Sequence, residues 1–445
     1  MLCRVESAKR ADPVLEQALA HRGLSRLDRA FITELVYGVL RQRGYLDWIL
    51  SQRTRRPGRK PAPRLRNLLR MGAYQILFLS KVPTSAAVNE SVKLAKTLGG
   101  KPVAAFVNAV LRGVARNRTF SFPDSETDPV AHVAARYSHP PWMVRRWIGR
   151  YGLDRTLRLC QANNTQAPLT IRANRFRTTR DDLAKALERE GIRSEPCPAA
   201  PEGLRLKGIA SESGSSLSNL ASYRRGEFYV QDEAAQLVSL IVDPKPQERI
   251  LDACTAPGGK ATHIAELMEN RGEIIALDVS ESRLNRLRQN TKRLGLTIIK
   301  PLLADATQDL SHLGQASFDR ILVDAPCSGL GLLRRNPEGK WKKTEDLIGH
   351  YQSIQRQILH QVALLLKPGG VLVYSTCTIE PEENELVVGA FLKEHPEFRV
   401  EGLWEMLPEA AAGLITAEGA FNTMLNPFEM DQFYAVRLIK GRREP

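Results

Sequence analysis

Two cysteines stand at the ends of two predicted strands in the second half of this 445-residue chain. Cys327 follows the apolar run in RILVDAPC, and Cys377 follows the one in GGVLVYSTC. Open α/β sheets place ligands and chemistry at the carboxyl ends of their strands. A thiolate is a nucleophile, and a polar setting that lowers the pKa of the thiol favours it. A lone cysteine at a strand end is more often an inert buried residue. The polar neighbours of these two favour a reactive pair.

A glycine-rich loop, DACTAPGGK (252–260), follows an earlier strand of the same run and opens a helix. The sequence Pro257-Gly258-Gly259 permits a tight turn and lets the backbone approach a ligand closely. The loop matches neither GxGxxG nor GxxxxGK[ST], which disfavours a nicotinamide dinucleotide and a P-loop nucleotide. A strand-to-helix turn of this kind still predicts a nucleoside-like cofactor.

Acidic residues end four successive predicted strands, at Asp252, Asp278, Asp305 and Asp324. Asp278 is placed to accept hydrogen bonds from both ribose hydroxyls of a nucleoside, and Asp305 to contact its base. Any one of these aspartates could instead be a helix N-cap, but four in register favour a nucleoside site. A carboxylate-rich edge repels phosphates and suits a sulfonium cofactor, which carries a positive charge.

A methyl donor beside a thiol indicates alkylation of a carbon that cannot react unaided, such as carbon 5 of cytosine or uracil. A thiolate that adds to carbon 6 makes carbon 5 electron-rich, and loss of the carbon 5 proton to a base then expels the thiolate. For cytosine, a carboxyl group near N3 and N4 would stabilise the adduct, and Asp324 lies three residues before Cys327. Either Cys327 or Cys377 suits the attack chemically. Cys254, inside the loop, is predicted to be a packing residue.

The basic residues are concentrated at one end of the chain. Residues 1–150 contain 27 Lys and Arg against 10 Asp and Glu, whereas the other 295 residues contain 37 against 39. The stretch 51–70 has eight basic residues and no acidic one. A localised basic field favours a polyanion through phosphate neutralisation and counterion release. Nucleic acid is therefore the predicted partner, ahead of a solubilising face or an anionic membrane.

Three regions differ in their pattern. Residues 1–140 are predicted to be a helical domain, with apolar stripes in LDRAFITELVYGVLR and KPVAAFVNAVLRGVARN and a Gly-Gly stop at the end of VPTSAAVNESVKLAKTLGG. Residues 141–232 are predicted to be a linker helix and a small α/β module, with strands in APLTIRANRF and RGEFYVQD and a helix in TTRDDLAKALEREG. Residues 233–445 alternate strands with helices, which predicts a mostly parallel sheet, and the strand FYAVRLI is expected to add an antiparallel edge.

Composition excludes several classes of protein. The chain has no run of 18 apolar residues and no charged-then-apolar leader, so neither a membrane span nor a secretory signal is predicted. Its six cysteines form no CxxC pair, which argues against a metal site. A disulfide framework is unexpected in so large a chain, and a reducing cytoplasm is the predicted location. A monomer is the expected state.

Five strings in the last region resemble the RNA 5-cytosine methyltransferases of the Fmu/RsmB/NOL/NOP2/Sun group. They are DACTAPGGKATHI, ALDVSESRLNRL, ILVDAPCSGLG, RRNPEGKW and VYSTCTIEPEENE. The resemblance covers roughly residues 229–440 and implies a Rossmann-like class I methyltransferase domain. The helical region resembles the NusB-like RNA-binding fold, and the middle module resembles an RNA-recognition-like segment. The implied fold is therefore multidomain, with ribosomal RNA of the small subunit as the implied partner.

The resemblance also implies residue roles. Cys377 corresponds to the nucleophile and Cys327 to the cysteine that assists product release. The contacts to S-adenosyl-L-methionine correspond to Asp278, Asp305, Asp324 and the loop, whose members are Cys254, Thr255, Ala256, Pro257, Gly258, Gly259 and Lys260. The implied function is formation of 5-methylcytosine in 16S ribosomal RNA. Two alternatives stay open, the same reaction on transfer RNA or another RNA, and a non-catalytic NusB-like RNA-binding or assembly factor.

Overall fold

A computed structural model of the chain describes residues 1–7, 11–19, 23–54, 61–208, 217–255, 257–425 and 430–442. The described residues form two compact units. The first comprises Met1–Gln166 and Leu333–Lys342, and the second comprises Ala167–Leu332 and Lys343–Pro445. Within these described ranges no helix has both the length and the apolar character that a membrane span requires. The basic loop residues Arg55, Arg56, Arg59 and Lys60 and the predicted cofactor residue Ala256 lie outside the described residues.

The first unit is helical, as the pattern predicted. Its main helices are α1 (Leu2–Ser7), α2 (Asp12–Leu19), α3 (Arg26–Arg41), α4 (Arg43–Ser51), α5 (Pro63–Phe78), α6 (Thr84–Arg116), α7 (Pro129–Arg136) and α8 (Pro141–Asn163). A capping box opens α3, because Ser25 and Asp28 each accept a backbone hydrogen bond from the other. Gly99 and Gly100 leave helical geometry inside α6, and Gly100 has φ +70°. The predicted Gly-Gly stop is therefore a break between two helical segments.

The predicted apolar stripes are only partly buried. Val107, Val110, Leu111 and Val114 of α6 lie in the core, but Phe106 is 36% exposed. In α3, Val39 is buried, whereas Leu27 and Phe31 are 82% and 41% exposed. The core of α3 lies along its second half, at Val36, Tyr37, Val39 and Leu40. The prediction of an apolar core stripe in this helix was therefore wrong at Leu27 and Phe31, whose side chains remain exposed.

A segment from the second half of the sequence completes the first unit. It contains the short helix Gly339–Lys342, inside the RRNPEGKW string. Lys340 is fully buried, and its Nζ donates to Asn164 Oδ1 at 2.5 Å and to the carbonyls of Arg41 and Ser138 at 3.3 Å each. Burial holds the pKa of Lys340 well below its usual value. Trp341 Nε1 donates to the carbonyl of Leu40 at 2.8 Å. This string is therefore a packing element of the helical unit.

The second unit begins with a small antiparallel sheet. Its strands are β1 (Leu169–Ala173), β2 (Arg193–Pro196), β3 (Gly203–Lys207) and β4 (Phe228–Val230), in the order β2-β3-β1-β4. The helices α9 (Arg180–Arg189) and α10 (Ala221–Arg224) accompany them. The pattern predicted β1, α9 and β4 but not the β2–β3 hairpin. The strand β2 is the short, mostly exposed run RSEP, which has no apolar residue to reveal it.

The larger sheet has the order β10-β12-β9-β8-β5-β6-β7, with β11 also paired to β12. Its strands are β5 (Arg249–Asp252), β6 (Glu273–Asp278), β7 (Ile299–Leu303), β8 (Phe318–Asp324), β9 (Leu366–Thr376), β10 (Phe398–Glu401), β11 (Phe421–Asn422) and β12 (Tyr434–Lys440). The pairs β5–β6, β5–β8, β6–β7 and β8–β9 are parallel. The predicted Rossmann-like, mostly parallel sheet is confirmed.

The last strand is antiparallel, as predicted, but it is not an edge. β12 pairs with β9 on one side and with β10 on the other. The pattern missed β10 because its four residues, FRVE, carry too short an apolar signal. The outer position beyond β12 therefore belongs to β10.

Helices cover this sheet on both sides. They are α11 (Glu233–Val242), α12 (Gly259–Leu267), α13 (Glu281–Leu294), α14 (Asp346–Ala363) and α15 (Glu385–Glu394). Alternate strand residues enter different cores, with Ile250 in one and Leu251 in the other. A sheet buried on both faces leaves only its strand ends open to ligands. Short 3₁₀ turns occur at Ser311–Leu313, Leu330–Leu332, Pro381–Glu383, Glu409–Leu414 and Thr423–Leu425.

A buried arginine fastens the small sheet to the helix that follows the glycine-rich loop. Arg172 of β1 and Glu266 of α12 are both fully buried, with Nη2 and Oε1 2.7 Å apart. The Nη1 of Arg172 also donates to the carbonyl of Gly259 at 2.8 Å. A buried ion pair requires good geometry and further hydrogen bonds to offset the cost of desolvation, and the hydrogen bond to Gly259 is one of these. The small sheet thus helps to hold the loop in place.

Candidate active site

A cavity of about 440 Å³ opens at the carboxyl ends of β5 to β8. Four of the predicted cofactor residues line it together, namely Cys254, Asp278, Asp305 and Asp324. The other lining residues are Ala253, Val279, Arg283, Ala304, Ala306, Thr307, Pro326, Ile354 and Ile358. The lining thus combines carboxylates with apolar side chains, which suits a ligand with a flat apolar part and several hydroxyls.

The glycine-rich loop makes the predicted tight turn. The backbone N–H of Gly258 donates to the carbonyl of Thr255 at 2.8 Å, and Gly258 has φ +100°. A Cβ at this position would lie 2.3 Å from Leu287 Cδ1, so the residue must be glycine for two independent reasons. Thr255, Pro257, Gly258, Gly259 and Lys260 shape this turn and are not among the lining residues of the cavity.

Asp278 and Asp305 differ in how they are held. Asp278 is 5% exposed, and its Oδ1 accepts from the N–H of Ser280 at 2.8 Å and from Arg283 at 2.7 Å. Asp305 is exposed, and its Oδ1 accepts from the N–H and the hydroxyl of Thr307 at 2.9 and 2.8 Å. Arg283 was not predicted. Asp278 is the more firmly oriented of the two carboxylates.

Asp252 is a buried carboxyl group at the end of β5. It is fully buried, and neither oxygen has a hydrogen-bond partner within the described part of the chain. Burial and the negative charge of Asp324 raise the pKa of Asp252 to about 7, although the Thr255 hydroxyl, the Lys260 cation and the Cys254 backbone N–H lower it. The lining residues of the cavity do not include Asp252.

Asp324 sits between two donors at the end of β8. Lys260 Nζ lies 2.6 Å from its Oδ2, and the hydroxyl of Ser375 donates to its Oδ1 at 2.9 Å. Lys260 is 8% exposed, and its ammonium also lies 4.9 Å from the ring centroid of Phe433. The Asp324 side chain keeps 31% of its surface exposed and lines the cavity. Its carboxylate is therefore fixed in direction and still accessible.

The two predicted thiols are neighbours. The Sγ atoms of Cys327 and Cys377 lie 3.2 Å apart, and both cysteines are free. The hydrogen bond to Cys377 and burial raise the pKa of Cys327 well above the usual value for cysteine. The raised pKa favours the protonated thiol of Cys327, and either sulfur can be the donor in this contact. Cys254 also has a raised pKa because it is buried close to Asp252, so its thiol stays neutral.

A buried glutamate holds the two cysteine loops together. Ser328 follows Cys327, and its N–H donates to Glu383 Oε1 at 2.6 Å while its hydroxyl bonds the other oxygen. The hydroxyl of Ser328 also lies 3.0 Å from that of Thr378, which follows Cys377. Burial raises the pKa of Glu383, against these hydrogen bonds. The sequence prediction missed Glu383, although it stands in the EPEENE string.

The structure combines a helical unit with a second unit that contains a Rossmann-like sheet, with a ligand-sized cavity and two neighbouring thiols at its strand ends. Residues 239–439 match the model of the 16S rRNA methyltransferase RsmB/F. Residues 1–116 match the NusB family, and residues 139–211 match the ferredoxin-like domain of RsmF/B-like methyltransferases. The predicted order of a NusB-like domain, a small α/β module and a methyltransferase domain is confirmed.

Curated proteins and solved structures give the same result. The chain is 38% identical to the probable ribosomal RNA small subunit methyltransferase B of Bacillus subtilis, over 96% of this chain and 94% of that protein. It is 36% identical to the ribosomal RNA small subunit methyltransferase B of Vibrio cholerae, over 89% and 87%. A methyltransferase homolog from Pyrococcus horikoshii is 29% identical, with a TM-score of 0.59, over 70% of this chain and 99% of that one. The chain belongs to the RsmB/F family of ribosomal RNA methyltransferases, which confirms the resemblance.

Proposed function

We propose that this protein uses S-adenosyl-L-methionine to methylate carbon 5 of a cytidine in small-subunit ribosomal RNA, through a covalent bond between Cys377 and carbon 6. One observation carries the proposal. The two thiols are 3.2 Å apart at strand ends next to Asp324, and Asp324 lines the cavity that also contains Asp278. A nucleophile and a cofactor carboxylate thus share one sheet edge.

The residues of the cavity suit this cofactor. When bound, S-adenosyl-L-methionine supplies a methyl group on a positively charged sulfur. Asp278 would accept from the ribose hydroxyls, and Ile354 and Ile358 offer apolar surface for the adenine. Asp305 is proposed as a weaker contact because it is exposed and already accepts two hydrogen bonds.

The two cysteines are proposed to have different roles. Cys377 is proposed as the nucleophile, and its thiolate would form the bond to carbon 6 of the base. Cys327 has a raised pKa and lies 3.2 Å from the Cys377 sulfur, so its thiol would donate to a thiolate formed there and stabilise it. After the methyl group has been transferred, the carbon 5 proton must leave to a base, the carbon–sulfur bond breaks, and the ring double bond returns. Cys327 is proposed to assist this last step because it can supply a proton to the departing Cys377 sulfur.

Asp324 is proposed to recognise the cytosine ring. Lys260 and Ser375 fix its two oxygens from behind, and its exposed surface faces the cavity. An oriented carboxylate accepts a hydrogen bond from the N4 amino group, and a proton shared with N3 would stabilise the adduct. Uracil has a carbonyl at carbon 4 and would be repelled there. This contact supports cytosine over uracil as the base.

Ribosomal RNA of the small subunit is proposed as the substrate because the curated relatives carry that substrate in their names. The excess of basic residues at 1–150 supports a polyanionic partner. The target base must leave its stack to reach a thiol, so it would lie in a loop or an unfolded region.

The test is methyl transfer to protein-free small-subunit ribosomal RNA in vitro, followed by digestion and mass analysis of the nucleosides. The proposal predicts 5-methylcytidine at one or a few mapped positions, and none when S-adenosyl-L-methionine is omitted. Transfer RNA is the comparison substrate. Methylation of transfer RNA alone, or of a different atom of the base, would overturn the proposal.

A further inference from the structure

A second cavity of the same unit is strongly basic. It has a volume of about 750 Å³ and lies where the small sheet meets the end of α13. Five of its seven lining residues are basic, and one is acidic. The lining residues are Arg177, Arg224, Arg225, Glu227, Gln289, Lys292 and Arg293. Glu227 pairs with Arg225, at 2.6 Å, so this pair contributes little net charge.

Backbone carbonyls hold two of the remaining cations. Arg177 Nε donates to the carbonyl of Leu294 at 3.3 Å, and Arg293 Nη1 donates to the carbonyls of Tyr223 and Phe228 at 2.9 Å each. The Arg293 guanidinium also lies 3.9 Å from the ring centroid of Tyr223. A carbonyl orients a guanidinium without neutralising it, so the positive charge and the other N–H groups stay available to an anion.

A row of polar side chains connects this cavity with the cofactor cavity. Arg283 lines the cofactor cavity, Arg286 and Gln289 follow at intervals of three residues, and Lys292 lines the basic cavity. Residues three apart are neighbours on the surface of a helix, and from Arg283 to Lys292 this series winds about half a turn around α13. At 1.5 Å per residue the helix α13 spans roughly 20 Å. Within the described ranges no carboxylate forms an ion pair with Arg224, Arg286 or Lys292.

We propose that this surface binds the phosphates of the RNA strand that flanks the target cytidine. The proposal rests on the proposed function, since it assigns a path to the same substrate. A single small anion would occupy the cavity alone, whereas basic side chains spread over roughly 13 Å of α13 match a repeating polyanion. Arginine forks and a lysine are the groups that bind phosphate oxygens. This basic surface, the proposed path of the RNA strand, contacts the phosphates of the strand, whereas Asp324 recognises the base.

The test uses the full-length protein with Arg224, Arg286 and Lys292 changed to Gln together. All three side chains are exposed, so the fold should tolerate the change. We expect weaker binding of small-subunit ribosomal RNA, by about tenfold or more near 0.1 M salt. The slope of log affinity against log salt should fall by about 2, since each lost single-strand phosphate contact removes about 0.7. Binding of S-adenosyl-L-methionine, measured by calorimetry, checks that the cofactor cavity is intact.

A matched control removes the same charge from another exposed part of the small module, with Lys185, Arg189 and Arg193 changed to Gln. An RNA salt slope that stays unchanged in the first triple variant, or falls equally in the control, overturns the proposed path. Loss of affinity for an acidic protein but not for RNA overturns it as well. Failure of the unchanged protein to methylate any RNA would instead count against the proposed function, so the two failures are distinguishable.

Discussion

Lys260 and Asp324 form an ion pair, with Nζ and Oδ2 2.6 Å apart, that links the glycine-rich loop to the strand end before Cys327. Lys260 opens α12 from the cofactor side, and Asp324 ends β8 on the side of the thiols. The pair therefore joins the two halves of the proposed site. A displacement of either residue would therefore change the position of groups proposed to contact the cofactor and of groups proposed to contact the base.

Removal of the cation should slow methyl transfer without unfolding the protein. In Lys260→Met, Asp324 loses the donor that orients Oδ2, and a misplacement of about 1 Å can cost about 10²-fold in rate. We expect a decrease of that order in single-turnover methyl transfer. Lys245→Met is the control, because Lys245 also pairs with an aspartate but is exposed. A rate for Lys260→Met within twofold of the unchanged protein would contradict the orienting role.

Asp252 should make the protein less stable as the pH rises. The folded pKa of about 7 lies above the usual value of 3.8, so the folded state binds this proton more tightly. Stability from this group is complete below about pH 4 and is lost as the pH rises through 7. Asp252→Asn removes the cost of ionisation and should raise the free energy of unfolding at pH 8 by at most roughly 4 kcal/mol.

Urea unfolding at pH 5 and pH 8 measures this effect. The difference between Asp252→Asn and the unchanged protein should be larger at pH 8. Asp181→Asn, at an exposed position, serves as the control and should show no such trend. An equal difference at both pH values would show that Asp252 does not hold a raised pKa.

Glu383 should act on the cysteines through Ser328. Glu383→Gln keeps the shape but places an amide N–H₂ toward the N–H or hydroxyl of Ser328, and an unsatisfied buried donor costs about 1–3 kcal/mol. We expect slower methyl transfer with unchanged affinity for S-adenosyl-L-methionine, since Glu383 does not line the cofactor cavity. Glu385→Gln, two residues on and exposed, is the control. A loss of cofactor affinity with an unchanged transfer rate would contradict this assignment.

Asp278 should dominate cofactor affinity. Its replacement by Asn weakens a hydrogen bond from a ribose hydroxyl to a charged acceptor, which corresponds to about a 10- to 100-fold higher Kd. Asp305→Asn should have a smaller effect because that carboxylate is exposed and already accepts from Thr307. Calorimetric titration of both variants with S-adenosyl-L-methionine gives the comparison. The reverse order of effects would exchange the two roles.

The sheet and the aspartates at its strand ends were predictable because buried parallel strands appear in the sequence as continuous apolar runs. The end of each run marks the end of the strand. The contact between Cys327 and Cys377 also followed from two strand ends that belong to neighbouring strands. The β2–β3 hairpin and β10 were not predictable, since short strands with few apolar residues resemble loops. Glu383 was missed because its role depends on long-range contacts to Ser328.

Side-chain environments were the least predictable feature. Phe31 has the spacing of a core residue, yet its side chain is 41% exposed. Lys340 belongs to the RRNPEGKW string and carries a charged side chain, yet it is fully buried and donates to carbonyls of the helical unit. Periodicity indicates which face of an element is apolar, whereas burial depends on what the rest of the chain places against that face.

The central claim is that Cys377 bonds to the base and Cys327 releases it. The most direct measurement is denaturing electrophoresis of Cys327→Ala and Cys377→Ala after reaction with small-subunit ribosomal RNA and S-adenosyl-L-methionine. The account predicts a protein–RNA adduct that survives denaturation with Cys327→Ala, and neither adduct nor methyl transfer with Cys377→Ala. An adduct with Cys377→Ala but not with Cys327→Ala, or methyl transfer by Cys377→Ala, would contradict it.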